Sequence, residues 1–332
     1  MYDIALIGGA GYVGNAILNY FDELGAKILV IDNFIYKHSS TYIGYLSRKN
    51  IDFKNLDFSN NEDKLAAELH QCKSIVILGG LVGDPITKKY SQIAEKINNH
   101  GIRNLLFEMD SKLSGKQILF ISTCSNYGLM SEGTLANEDS ELKPLSLYAE
   151  AKVSSENFII NKLVPRDKNI YTILRFATAF GLSSRMRFDL TVNQFARSIM
   201  LKEKLVVFDA DTWRPYCHVN DFARLIDIVI NSRQELVSGH VFNAGGDENN
   251  HTKRSLVNEI LRVVPDGDIS YQKHGSDPRN YRVDFAKVRS LLGFEPKFSV
   301  ADGINEICEA IQKGFFTEDV DNNNLYGNYS VE

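Results

Sequence analysis

The chain has no long run of lysine or arginine, and its 37 Lys+Arg against 42 Asp+Glu leave a formal net charge of -5. Without a basic footprint for a phosphate backbone, nucleic acid is not an expected partner. No stretch approaches 18 uninterrupted apolar residues, and the first residues read as a strand with no charged leader or cleavage site. Only four cysteines occur, Cys72, Cys124, Cys217 and Cys308, far apart and with no CxxC pair. Neither a disulfide framework nor a thiolate metal site is implied, and no metal is expected. The chain is accordingly expected to be soluble and cytoplasmic, with no membrane partner. What is present is ordinary for a full hydrophobic core: 44% hydrophobic and 24% charged residues over 332 positions, enough for one large domain or two of ordinary size.

Short apolar runs alternate with longer segments of helical period. Ile4–Ile7, Lys27–Ile31, Ser74–Leu78, Gln117–Ile121 and Thr172–Phe176 are too short for helices and rich in Ile, Leu and Val, as in strands covered on both faces. Ala16–Leu24, Ile93–Met109 and Tyr148–Leu163 carry apolar residues three and four apart. The alternation predicts an α/β fold with a doubly wound parallel sheet. After Gly181 the pattern loosens into a mixed region, expected as a smaller α/β lobe that holds the substrate. The final stretch, 318–332, is polar and Asn-rich with little to bury, and is expected to pack loosely or be disordered.

At the first strand's end stands Gly8-Gly9-Ala10-Gly11-Tyr12-Val13-Gly14, followed by a helix. Glycines at 8, 11 and 14 permit a tight turn, so that backbone N–H groups approach an anion at the helix N-terminus. Asp32 ends the second strand at the distance expected for a carboxylate that accepts hydrogen bonds from an adenosine ribose. That carboxylate would repel a 2′-phosphate, which favours NAD over NADP. Asp57 and Phe58, after the third extended run, are candidates to cover the adenine or simply an ordinary strand end.

The sequence holds two YxxxK matches, Tyr45 with Lys49 and Tyr148 with Lys152. Tyr148 follows a strand ending in Ser122-Thr123 and opens an apolar helix, whereas Tyr45 has no hydroxyl partner nearby in sequence. A helix stacks residues i and i+4, so Lys152 can approach both the Tyr148 phenol and a cofactor ribose. Bringing a phenol from a pKa of about 10 to near 7 requires roughly 4 kcal/mol of preferential phenolate stabilisation, which an ammonium and a nicotinamide cation can supply together. Tyr148 is then the expected base for a substrate hydroxyl, with Thr123 orienting it.

These motifs, together with Asn98-Asn99-His100-Gly101, Leu174-Arg175-Phe176 and Arg214-Pro215-Tyr216-Cys217-His218-Val219-Asn220-Asp221, resemble the extended short-chain dehydrogenase/reductase family in its NAD-dependent epimerase/dehydratase branch. The resemblance implies a Rossmann-type NAD-binding domain over 1–180, to which 220–244 returns, and a lobe over 181–219 and 245–317 for a nucleoside-diphosphate sugar. It implies a homodimer using the Tyr148–Leu163 helix. Carried over by position, Gly8, Gly11, Tyr12, Val13, Gly14, Asp32, Asn33, Asp57, Phe58, Gly79, Asn98 and Lys152 are cofactor contacts, and Thr123, Tyr148 and Lys152 are catalytic. Cys124, Ser125, Thr178, Arg185, Arg187, Asn193, Arg214 and Arg279 are assigned to the substrate. Arg214 matches the arginine that pairs with the diphosphate, while Asp277-Pro278-Arg279 departs from the usual pattern, with His274 where an arginine is expected. His218 is read as structural.

Departures narrow the reaction. Family 4,6-dehydratases place an acid and a base after the threonine; here Cys124-Ser125 stands instead, so dehydration needs a carboxylate from elsewhere. Oxidation at a sugar carbon, expected at C4, then ends in epimerisation or in release of a keto sugar. Thr178 stands where many 4-epimerases carry Asn. Ser184–Leu190 and Thr252-Lys253-Arg254 look like a subgroup that includes enzymes oxidising GDP-heptose at C4 in bacterial surface-polysaccharide synthesis. Arg185 and Arg187 either clasp a phosphate or line a solvated loop. A catalytically silent NAD-binding scaffold is the reading from another class, and the presence of both Tyr148 and Lys152 argues against it.

Overall fold

The computed structural model describes every residue except 61, 132, 274–278, 319–322 and 332, and of 62 and 63 the backbone alone. A seven-stranded, all-parallel sheet forms its centre. From one edge to the other it runs Val241–Ala244, Ile170–Phe176, β5 (Gln117–Thr123), β4 (Cys72–Ile77), β1 (Tyr2–Ile7), β2 (Ile28–Asp32) and β3 (Ile51–Asn55). Chain order reverses between β1 and β4, which opens a crevice at their carboxyl ends. The doubly wound architecture read from the sequence is present.

Both sheet faces are apolar because the strands are. Ile4, Leu6, Val30, Leu119 and Leu174 point to one face, covered by α1 (Tyr12–Glu23) and the helix Val219–Asn231. Ala5, Ile7, Ile31, Ile77 and Phe120 point to the other, covered by Leu105 and Met109 of the helix Ile102–Lys112 and by Ile159 and Leu163. Val241–Ala244 escapes an apolar-run search because it is four residues long and includes Asn243. That amide is fully buried, accepts the Tyr127 hydroxyl at 2.7 Å and donates to the Asp284 carbonyl at 3.1 Å.

The stretch expected as one helix over Ile93–Met109 is interrupted: a π-helical segment, Glu95–Gly101, precedes Ile102–Lys112. The second lobe has its own core, in which Phe195, Leu256, Ile260, Ile304 and Ile307 are buried. Its strand Trp213–His218 pairs with Thr178–Phe180 and Asn250–Thr252. Among the described residues no helix is long and apolar enough to cross a membrane. Residues 323–331 are packed, contrary to the loose tail expected, with Val331 buried beside Tyr36, Leu81 and Ile86.

Candidate active site

One cavity of about 1020 Å³ opens at the β1/β4 crevice and extends between the central sheet and the second lobe. Gly8 has φ +79°, and a Cβ there would lie 2.5 Å from Gly79 Cα; a Cβ on Gly14 would lie 2.4 Å from the Gly9 carbonyl oxygen. Only glycine allows this approach of turn, helix and neighbouring strand. α1 consequently starts at the cavity wall, with Gly11 at its N-cap and no acidic residue in its first turn. The unpaired N–H groups of such a terminus favour an anion. Asp32 borders the same cavity and accepts hydrogen bonds from the backbone N–H groups of Ala10 at 3.0 Å and Phe34 at 2.8 Å. Burial pushes its carboxyl up, and those N–H groups pull it back. Val13, Asn33, Phe58 and Gly79 also face the cavity. Glycine turn, helix terminus and the Asp32 carboxylate on the cavity wall together fit a dinucleotide.

Thr123 ends β5, and its hydroxyl accepts the Ser125 N–H at 3.1 Å. Tyr148 and Lys152 lie on the helix Leu147–Phe158, whose N-cap Ser146 accepts the Ala149 N–H at 3.3 Å. All three reach the cavity. The Lys152 ammonium donates to the Ile121 carbonyl at 2.6 Å and stands 5.9 Å from the centroid of the Tyr148 ring. Burial lowers Lys152 to about 8, against the pull of Glu156. Burial also raises the Tyr148 phenol, and the charge of Asp84 adds to this, while Arg187 and Arg279 oppose it. The other YxxxK match is different: Tyr45 lies in a 3-10 turn, Ser39–Tyr45, and its hydroxyl donates to Asn19 at 2.5 Å.

The Tyr148 helix is anchored one turn beyond Lys152. Glu156, 1% exposed, accepts the Ser122 hydroxyl, the Asn126 amide at 2.9 Å and the Arg175 guanidinium at 2.7 Å. Arg175 continues to the Tyr127 hydroxyl at 3.0 Å. Helix, β5 and the strand Ile170–Phe176 are thereby fixed to each other one turn beyond Lys152.

Toward the second lobe, Ser125, Thr178, Arg214 and Arg279 face the cavity. The Ser125 hydroxyl lies 3.3 Å from the Tyr281 hydroxyl and accepts from Arg279 at 3.3 Å. The Arg214 guanidinium stacks 5.0 Å from the Tyr281 ring centroid. Asp84, the first residue of the short helix Asp84–Lys89 that follows β4, forms an ion pair with Arg279 at 2.7 Å across the cavity. Asp84 and Tyr281 have no counterpart in the sequence reading. The available signal was Gly83-Asp84-Pro85 closely following a predicted strand, a helix-start pattern that does not by itself specify a binding site.

Four assigned residues stand outside the cavity wall. The Asp57 carboxylate closes a turn, accepting from the Ser59 N–H at 2.8 Å and from Asn60 at 2.9 Å. Asn98 holds the loop after β4 from behind, accepting from the Leu81 N–H at 2.7 Å and donating to its carbonyl at 2.8 Å. Cys124 turns into the core, its thiol 3.1 Å from the Arg175 carbonyl and pushed up by burial. Asn193, fully buried, accepts from the Gly181 N–H at 3.1 Å and donates to the Tyr12 hydroxyl at 3.0 Å and the Arg187 carbonyl at 2.9 Å. The bonds given for each run to the protein's own backbone and side chains. Arg185 and Arg187 border the cavity but are no solvated loop. Arg187 makes a bidentate pair with Asp189 at 2.9 and 2.5 Å, and Arg185 is 1% exposed. His218, fully buried, caps the helix Val219–Asn231 and lies 2.8 Å from Glu306. His274, Asp277 and Pro278 lie outside the described residues.

A family model described as NAD dependent epimerase/dehydratase family matches residues 4–245. A UDP-glucose 4-epimerase of Lactobacillus helveticus is 24% identical over 91% of this chain and 94% of its own length. A low-salt glycan biosynthesis protein of Haloferax volcanii is 26% identical over 92% of this chain and 97% of its own. Among solved structures, the UDP-glucose 4-epimerase of Thermotoga maritima with UDP-glucose shares the fold with a TM-score of 0.81 at 24% identity, over 94% of this chain and 99% of that one. The UDP-glucuronic acid 4-epimerase of Bacillus cereus, with UDP-glucuronic acid and NAD, gives 0.82 at 21% identity, over 94% and 100%.

Proposed function

Because the chain belongs to the NAD-dependent epimerase/dehydratase family, we propose that it oxidises a nucleoside-diphosphate sugar at C4 and then either returns the hydride to the opposite face or releases the keto sugar. NAD, when bound, supplies the hydride acceptor. Gly8, Gly11 and Gly14 would admit its pyrophosphate to the α1 terminus, and Asp32 would receive its adenosine ribose. Tyr148 takes the proton of the sugar hydroxyl, Thr123 orients that hydroxyl, and the Lys152 ammonium favours the phenolate. Arg214 and Arg279 offer forked donors to the diphosphate.

The observation that carries this reading is the meeting of Thr123, Tyr148 and Lys152 in the same cavity as Arg214 and Arg279. The names of the similar 4-epimerases support C4, and the Haloferax protein's name supports a glycan-precursor role. Asp84 favours one second reading, 4,6-dehydration, because it brings to the cavity the carboxylate that Cys124-Ser125 lack. A homodimer is part of the proposal, and exposed Leu147, Ile160 and neighbouring Phe107 on the outer side of the Tyr148 helix support that face for it; light scattering is expected to give twice the chain mass.

The test is a screen of GDP-, UDP-, CDP- and dTDP-sugars with product analysis. A 4-epimer or a 4-keto sugar is the expected product. A 4-keto-6-deoxy sugar carrying solvent hydrogen selects dehydration, and a chain inert with every sugar contradicts the enzyme reading.

A further inference from the structure

Residues 323–331 run from the second lobe back to the nucleotide groove. Tyr326 packs against Phe316 and Phe188, and its carbonyl accepts the Phe188 N–H at 2.7 Å. Arg185 then holds the segment from beneath: one guanidinium nitrogen donates to the Asn324 carbonyl at 3.0 Å, the Gly327 carbonyl at 2.7 Å and the Asn328 side chain at 2.7 Å. From the other side, the Asn328 amide donates to the Val82 carbonyl at 3.0 Å and Lys89 donates to the Tyr329 carbonyl at 3.2 Å. Val331 is seated between Tyr36, Leu81 and Ile86. The segment thus bridges the second lobe and the loop after β4, and Asn328 and Tyr329 border the same cavity as Asp32.

Beneath this bridge lies a set of unmatched polar atoms. Arg185 Nε is buried without a hydrogen bond among the described residues, while the Tyr36 hydroxyl and the His38 ring, also buried, reach only the Val82 and Ala10 backbones, in weak geometry. Arg185 stands 5.4 Å from the Tyr36 ring centroid, and all three residues border the cavity. Buried polar atoms are nearly always paired, so unmatched ones clustered on a cavity wall mark where a polar ligand completes the set. Their place, between Asp32 and the loop after β4, is the AMP half of the dinucleotide site.

We infer that residues 323–331, latched by Arg185, are a strap that closes the AMP half of the site. Arg185 Nε donates to a phosphate or ribose oxygen of the cofactor, and Tyr36 and His38 bond the same moiety. The inference rests on NAD occupying this groove, and its test uses no sugar, so it fails independently of the proposed reaction.

The full chain is loaded with NAD, freed of excess by gel filtration, and the nucleotide retained is measured over time. Wild type is expected to hold its NAD. Asn328→Ala, which removes the tie to Val82, and Arg185→Ala are expected to release it about tenfold faster or more, the loss given by one or two hydrogen bonds. Circular dichroism identifies the folded variants, and Asn328→Ala decides should Arg185→Ala unfold. Unchanged release from a folded Asn328→Ala or Arg185→Ala, or a wild type that empties during gel filtration, overturns the strap.

Discussion

Burial and the Asp84 charge hold the Tyr148 proton on, whereas the role proposed for Tyr148 as a base requires it to leave. Only cationic charge reverses that balance, and Lys152 stands one turn away to contribute it. Tyr148→Phe is therefore expected to lower turnover by roughly 10²- to 10⁴-fold, the range for a lost general base, with NAD affinity nearly unchanged in an equilibrium titration; near-normal turnover would remove Tyr148 from the role. Lys152 gives a pH signature. Its folded value of about 8 lies below its ordinary 10.5, so between the two the unfolded chain keeps a proton that the folded chain has released. Folding stability contributed by this group therefore rises with pH across that window. Denaturant unfolding of wild type and Lys152→Met is expected to show the difference between them shifting toward wild type from pH 8 to 10.5; a constant difference contradicts the burial. Gly8, Asp32, Tyr148 and Lys152, which border one cavity, could be picked out in the sequence because each sits in a short motif or at a strand end. Asp84 was not, since its role depends on a pairing with Arg279, 195 positions away along the chain.

At the level of elements, the Tyr148 helix is a lever whose angle is set by Glu156 and Arg175. Removing one partner of a buried pair leaves the other charge uncompensated, which costs about 3–5 kcal/mol. Glu156→Gln is expected to lower the unfolding free energy by about that amount, read by urea titration; a loss under about 1 kcal/mol would show the pair to be dispensable. Strands β1, β2, β4 and β5 were readable as apolar runs because both their faces are covered. β3 was harder to read as a buried strand, since Asp52 and Lys54 mark it as an edge. The helix around Asn98 was read as continuous because a π-helical turn leaves no mark in apolar spacing. Asn98, Asp57, Cys124 and Asn193 were assigned by motif position, which does not reveal the intramolecular bonds that each makes.

Across the whole molecule, a dinucleotide crevice and an arginine-bearing second lobe face each other over one cavity, and the chain's end returns to the seam between them. Polarity made the terminal stretch read as loose. Residues 323–331 pack because the Asn324 and Gly327 carbonyls and the Asn328 side chain meet the Arg185 guanidinium, which no local pattern reveals. The central claim is that hydride leaves a sugar carbon beside Tyr148. The most direct measurement is the fate of deuterium when the NAD-loaded chain is acid-quenched during turnover of nucleotide sugars deuterated at C4, across the four bases, with nicotinamide and product sugar both weighed. Deuterium on the nicotinamide or carried into a changed product sugar, with at least one of them, is the predicted result; a changed sugar whose deuterium has gone to solvent, or no change with any of them, would contradict it.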